Sequence, residues 1–407
     1  MIRRFVNLVL ADHDVRMHTL HRLDVAKHLF YPSTAAAEAA NAKANHNNNG
    51  AGGGDKPKPP PGIDKRRRRL PEPSMRFAPF PPPAANECAE EREPWPSADD
   101  SFFLLSPGTS EGRILHATEW SSRVVLYDAD AGAISAAVPS FPKRMGRDPI
   151  AFSRYIGGGA VPEEEQGPAG DFVVLDFDEP YEWQPLPPPP FDAADAGGIR
   201  ITSSAVVGGG RTICVSTATN DVGYNYSSHV VERTYCFDTA AREWRHAGDW
   251  ALPFDGRAEH VPELGAWIGL SSSPPNHLCA ADLSAMDINA ANQAPTPQHV
   301  WDDFTPPPEE SSSVVINRRF SYYVLHTYKE WWGPLGKLVN LGSGRFCIVK
   351  VFEIRRGESV DRYVEDMLDE EEFAVLTGVE VLRGQGVLRM VKHKSRRYEL
   401  GRHPWVL

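Results

Sequence analysis

The chain has 407 residues, 41% of them hydrophobic, and a formal net charge of −11. That acidity disfavours non-specific binding to nucleic acid or an anionic membrane, since both are polyanions. No apolar stretch approaches the roughly 20 residues that span a bilayer, and 36 prolines and 33 glycines point to many turns.

The N-terminal "RRFVNLVLAD" predicts a β-strand. Its two arginines and short apolar run superficially suggest a signal peptide, but the run ends at Asp12 with no small-residue cleavage site after it. A cytoplasmic or nuclear protein is expected, not a secreted one. "HRLDVAKHLFYP" follows, with Asp24, Phe30 and Pro32. From Ser33 to Asp100 the chain turns to low-complexity Ala, Asn, Gly and Pro, with too few large apolar residues to offset chain entropy by burial. Residues 33–100 are therefore expected to be a mostly disordered insertion between first strands in 1–32 and the remainder of the fold in 101–407. Within it stands the run Lys65, Arg66, Arg67, Arg68 and Arg69. In an extended, proline-flanked segment it reads either as a nuclear-import sequence or as a solvated linker that offsets nearby acid.

Beyond the insertion the chain shows period-two runs bounded by Gly, Pro and Asp, which predict strands. One order of residues recurs. An apolar run ends in Asp, and after a short turn come a large apolar residue and then a proline. Asp24, Asp128, Asp178, Asp238 and Asp282 hold the first position; Phe30, Ile134, Trp183, Trp244 and Trp301 hold the second. An Asp at a strand end accepts hydrogen bonds from amides two or three residues on and fixes a turn. The aromatic residue then anchors the returning strand in a core, and proline marks where pairing stops. A second pattern precedes the first: Gly112, Gly210, Gly265 and Gly344 each form a turn just before a strand.

Together these give a unit of four antiparallel strands that recurs about every 45–60 residues, the spacing of propeller blades. The expected fold is all-β, a single β-propeller. Five Asp-turn units and a degenerate one through "LVNLGSGRFCIVKVFE" and "FAVLTGVEVL" predict six blades, with "RRFVNLVLAD" meeting the C-terminal segment to close the ring. A β-sandwich with a smaller β-domain is the structural alternative.

Chemistry is sparse. The cysteines (88, 214, 236, 279 and 347) are odd in number and far apart, and read as buried and reduced. His13, His18, His21 and His28 cluster, but His18 and His21 point to opposite faces of a strand, so exposed histidines are expected rather than ligands. No metal or cofactor is expected. Tyr235 and Cys236 are neighbours on one strand and cannot crosslink in the manner of a copper radical oxidase. "GLSSS" and "LGSGR" lack a nucleophile-elbow spacing. The triplets Gly157–Gly159 and Gly208–Gly210 read as hairpin turns, because no helix follows to face a phosphate. Glu163–Glu165 and Asp369–Glu372 read as solvated loop charge.

"RRFVNLVL", "LHRLDVAKHLFYP", "GDWALPFDGRAEHVPELGAWIGLS", "HLCAADLS", "LGSGRFCIVKVFE", "FAVLTGVEV" and "LRMVKHKSRRY" together resemble a plant family, expanded in grasses, that is catalogued only as a domain of unknown function (number sixteen sixty-eight). The resemblance implies a kelch- or F-box-associated-propeller-like fold and carries no activity and no site residues. A non-enzymatic scaffold that binds a protein partner is the expected function. A small-ligand binder or enzyme using the central channel, and a nuclear regulatory protein, are the alternatives.

Overall fold

The computed structural model describes residues 3–12, 17–49, 63–78, 100–105, 112–118, 124–135, 138–140, 150–152, 155–157, 172–176, 182–190, 199–222, 228–286, 293–304, 310–318, 321–360, 364–399 and 405–407. In chain order, the hairpin β1 (Phe5–Asp12) and β2 (Met17–Asp24) leads to helices α1 (Val25–Leu29) and α2 (Thr34–Asn49). Strands β3 (Ile63–Arg68) and β4 (Met75–Phe77) follow. Four-stranded antiparallel meanders come next. The first is β5 (Asp100–Leu105), β6 (Arg113–Thr118), β7 (Val124–Asp128) and β8 (Ala133–Ser135). The next is β9 (Ile150–Phe152), β10 (Tyr155–Gly157), β11 (Phe172–Asp176) and β12 (Glu182–Leu186). Then come β13 (Arg200–Val207), β14 (Thr212–Val222), β15 (Ser228–Asp238) and β16 (Glu243–Gly248). They are followed by β17 (Phe254–Val261), β18 (Ala266–Ser271), β19 (Leu278–Ala281) and β20 (Pro297–Trp301). The chain continues through β21 (Glu310–Arg318), β22 (Ser321–Gly342), β23 (Arg345–Val360), β24 (Val364–Gly384), β25 (Val387–Tyr398) and β26 (Trp405–Val406).

The apolar faces of these strands are buried at joints between successive sheets. Val9, Leu20 and Phe77 of the sheet β26-β1-β2-β4 pack on Phe102, Ile114 and Tyr127 of the next. Phe103, Leu105 and Leu126 then meet Val173, and Phe172, Val174 and Leu186 meet Ile213, Val215 and Phe237. Val207, Cys214 and Cys236 pack on Phe254 and Trp267; Ile268 and Leu270 pack on Phe346 and Val379. The series returns to its start where Val349, Ala374 and Leu376 cover Val6, Leu8 and Leu23. Each fully buried side chain of this kind contributes about 1.5–3 kcal/mol. Sheets that share cores in a closed cycle form a β-propeller. Neighbouring sheets also touch directly: Ser203–Ala205 of β13 pair in parallel with Gly256–Ala258 of β17. The C-terminal β26 pairs with β1, Leu8 opposite Val406, so distant parts of the chain share one sheet.

Several expectations need correction. Part of the segment expected to be disordered is ordered. Helix α2 buries Ala37, and it is held by Thr34 Oγ1 donating to Glu380 Oε2 (2.6 Å) and Asn41 Nδ2 donating to the Lys392 carbonyl (2.8 Å). β4 pairs with β2, and β3 lies parallel to β25. The basic run is therefore not a free extended segment: Arg67 pairs with Arg397 and Arg68 with Tyr398, and only Arg69 lies beyond the strand. Acidic Asp369–Glu372, expected in a loop, belongs to β24. Asp24 does not close a hairpin but caps α1, accepting from the Lys27 amide at 3.1 Å. Ile134 is not a core anchor, being 57% exposed. His18, expected at the surface, is fully buried. Cys214, Cys236, Cys279 and Cys347 are buried free thiols, and burial pushes Cys279 and Cys347 up to about 12. Cys88, Asp178, His13 and Glu163–Glu165 lie outside the described residues.

Candidate functional site

The Asp turns fix strand-to-strand loops at separate places around the ring. Asp128 Oδ1 accepts from the Asp130 and Ala131 amides at 2.9 Å each, between β7 and β8. Asp238 repeats this with Ala240 and Ala241, also at 2.9 Å, and those amides hold its carboxyl below the ordinary value. Asp282 accepts from the Ser284 amide at 2.8 Å and from its hydroxyl, which starts the one-turn 3₁₀ segment Ser284–Met286. The tryptophans reach across joints. Trp183 Nε1 donates to the Pro139 carbonyl (2.7 Å) and Trp244 Nε1 to the Pro187 carbonyl (2.9 Å), each proline ending the preceding unit's motif. Trp301 packs partly buried on the Ile268 and Phe346 cluster. The predicted residues are thus spread around the ring as structural pins, and the structure does not gather them into one site.

A cleft of about 520 Å³ opens where the β13–β16 sheet meets the β17–β20 sheet. Its lining was only half legible in the sequence. Gly208–Gly210 form the expected β13–β14 hairpin turn, yet all three have positive φ (59°, 66° and 105°), a region that side chains rarely adopt. A Cβ built on Gly209 or Gly210 would meet nothing within 4 Å, so the turn leaves bare backbone facing open space. Opposite it, Arg257 and Glu259 project from β17 with their charged groups 3.5 Å apart. His260 lies over Trp267, its cross-strand partner, with ring centroids 4.4 Å apart. Trp267 is fixed by Nε1 donating to the Val206 carbonyl at 2.8 Å, which ties the floor of the cleft to β13. Ser284, placed by Asp282, stands at the exposed rim. The cleft thus offers one cation, one anion, an imidazole over an indole, and open main chain.

The sequence matches the family described as "Protein of unknown function (DUF1668)" over residues 3–398. No curated protein matches the chain. Among solved structures, it is similar to the β-propeller domain of Cps50 (Swd1) from Myceliophteria thermophila, at 11% identity and a TM-score of 0.29, covering 69% of this chain and 92% of that one. The propeller arrangement rests on the cyclically shared apolar clusters and not on that likeness. Among the described residues, no helix is long and apolar enough to cross a membrane.

Proposed function

The chain belongs to the DUF1668 family of proteins of unknown function, and we propose that it is a non-catalytic scaffold that binds a protein partner. This reading takes the ring as six-bladed and its residence as cytoplasmic or nuclear. The observation that carries it is the Gly208–Gly210 cleft, which joins bare backbone to charges of both signs over a fixed aromatic floor. Main-chain groups suit hydrogen bonding to an extended peptide, and an indole floor beside charge is the composition of an interaction anchor. The acidic chain favours a protein over a nucleic acid as the partner.

The double substitution Arg257→Gln, His260→Ala tests the proposal, because both side chains line the cleft and neither belongs to the buried core. Quantitative affinity purification from cells should show at least one protein partner of the wild type depleted about tenfold, a loss of roughly 1.4 kcal/mol, with the thermal midpoint unchanged. An unaltered partner set would remove the cleft as the docking surface. Turnover of a small molecule by the purified wild-type chain would overturn the non-catalytic assignment.

A further inference from the structure

Away from the cleft, at the joint that the closing strand β26 helps to form, three side chains capable of metal ligation converge. His18 projects from β2, Asp100 from the first position of β5, and His116 from β6. The register explains the convergence. Asp100 and Phe102 lie two apart on one face of β5, and Phe102 pairs directly with His116, so all three face the neighbouring sheet. On that sheet His18 stands opposite Phe77. His18 Nδ1 lies 3.1 Å and His116 Nε2 3.2 Å from the same oxygen, Asp100 Oδ2. The three donor atoms are all within 4.8 Å of one another. His18 is 0%, His116 1% and Asp100 3% exposed.

An ionised carboxylate at such depth is costly without compensation. The shell is apolar. Phe102 stacks on His116 at 4.5 Å and 6°, and Trp405 of β26 meets His18 edge-on at 5.2 Å. A plain hydrogen-bonded cluster would align its donors with its acceptor. Here Asp100 Oδ2 and both ring nitrogens of His18 are buried, and none makes a hydrogen bond of acceptable geometry despite the short separations. Short separation without alignment is expected of atoms whose lone pairs converge on a shared cation, and a buried polar group left in this state calls for a missing ion or water. Ligands at 2.0–2.2 Å around a tetrahedral zinc stand about 3.3 Å from one another, close to the two separations measured here.

We propose that His18, Asp100 and His116 form a binding site for a divalent transition-metal ion of the zinc class. Two imidazoles and one carboxylate suit zinc and its first-row neighbours, whereas calcium and magnesium take all-oxygen shells. The ion clips β2 to β5 and β6 across the long 33–99 segment, so it acts on the joint beside the ring closure. Cross-links that close long loops gain most from the unfolded chain's entropy, and metal binding that requires the folded site adds to folding stability.

Untagged full-length protein, stripped with chelator and dialysed against zinc, should retain about one zinc per chain by mass spectrometry. Free zinc at a hundredfold excess over its Kd should raise the thermal midpoint by about 3 °C. His18→Gln and His116→Gln should each abolish both effects. Cobalt(II) added to the stripped wild type should give visible d–d absorption at one equivalent, which keeps the test open should the variants fail to fold. Substoichiometric zinc with a chelator-insensitive midpoint and no cobalt spectrum would overturn the proposal. So would a folded His18→Gln variant that retains stoichiometric metal, since the ion would then sit elsewhere.

Discussion

Asp238 and Asp128 each settle a strand-to-strand turn with a single carboxylate oxygen, and that geometry was legible because both partners lie within three residues. Asp24 shows the limit of the same inference. An Asp before "VAKHL" serves a helix start as readily as a hairpin, and the neighbouring Leu29 and Phe30 were buried by a helical turn. Partners far apart in sequence were invisible, as with His18 beside Asp100 or Thr34 beside Glu380. The second of these gives a pH prediction. Burial holds the His393 imidazole below its ordinary value of 6.5, outweighing the Glu380 carboxylate 3.4 Å away. Burial raises the Glu380 carboxyl, but the Thr34 hydroxyl, Arg345 and His393 outweigh it and bring it below 4.5. Both folded values are depressed, so both contributions are complete above the unfolded pKa and vanish as pH falls through the folded one. His393 is affected first, below about pH 6.5, and Glu380 later. In His393→Asn, urea midpoints measured between pH 7 and pH 4 should fall less steeply than in the wild type over the first part of that range. Superimposable profiles would show that His393 does not titrate with unfolding.

Among the elements, strands were recovered where buried and exposed positions alternate, as in β25, because half-buried faces impose that period. Helix α2 was missed for a definable reason. Among its described side chains only Ala37 is buried, and it is held by polar side chains whose partners lie some 350 residues away, so composition alone marks it as a free segment. The repeated tryptophan was half understood. Its ring anchors a strand, as expected, but its N–H pins the carbonyl of the proline that ends the previous unit, a relation that shows only when two repeats are set side by side. Trp244→Phe keeps the packing on Phe172 and Phe237 and removes that bond. A loss of about 1 kcal/mol is expected, read as a lower urea midpoint with an unchanged slope. A variant as stable as the wild type would make the bond incidental.

For the whole molecule, recurrence of a four-strand unit was enough to predict sheets around a common axis, since such units bury their faces only against one another. The cleft was not foreseeable. Arg257 and His260 come from one sheet and Gly208–Gly210 from another, and nothing in a linear reading places them together. Closure was foreseen from edge chemistry, and the structure supplies its bonds: the Leu407 amide and carbonyl pair with Asn7, and Arg3 Nη2 donates to the Leu407 carbonyl at 2.8 Å. Removing residues 405–407 should therefore lower the thermal midpoint and raise hydrogen exchange selectively in β1, with β14 and β15 less affected. Equal exchange in β1 of both proteins would mean that the strand is held without its partner.

The pairing of β1 with β26 also imposes an order on biosynthesis. Strand β1 leaves the ribosome with one flank lacking its complement, and about 390 residues are translated between Asp12 and Trp405 before Trp405 and Val406 arrive. At 5–20 residues per second the wait is roughly 20–80 s. Throughout that interval the nascent chain carries an adhesive margin that a chaperone, or a second nascent copy, is free to occupy.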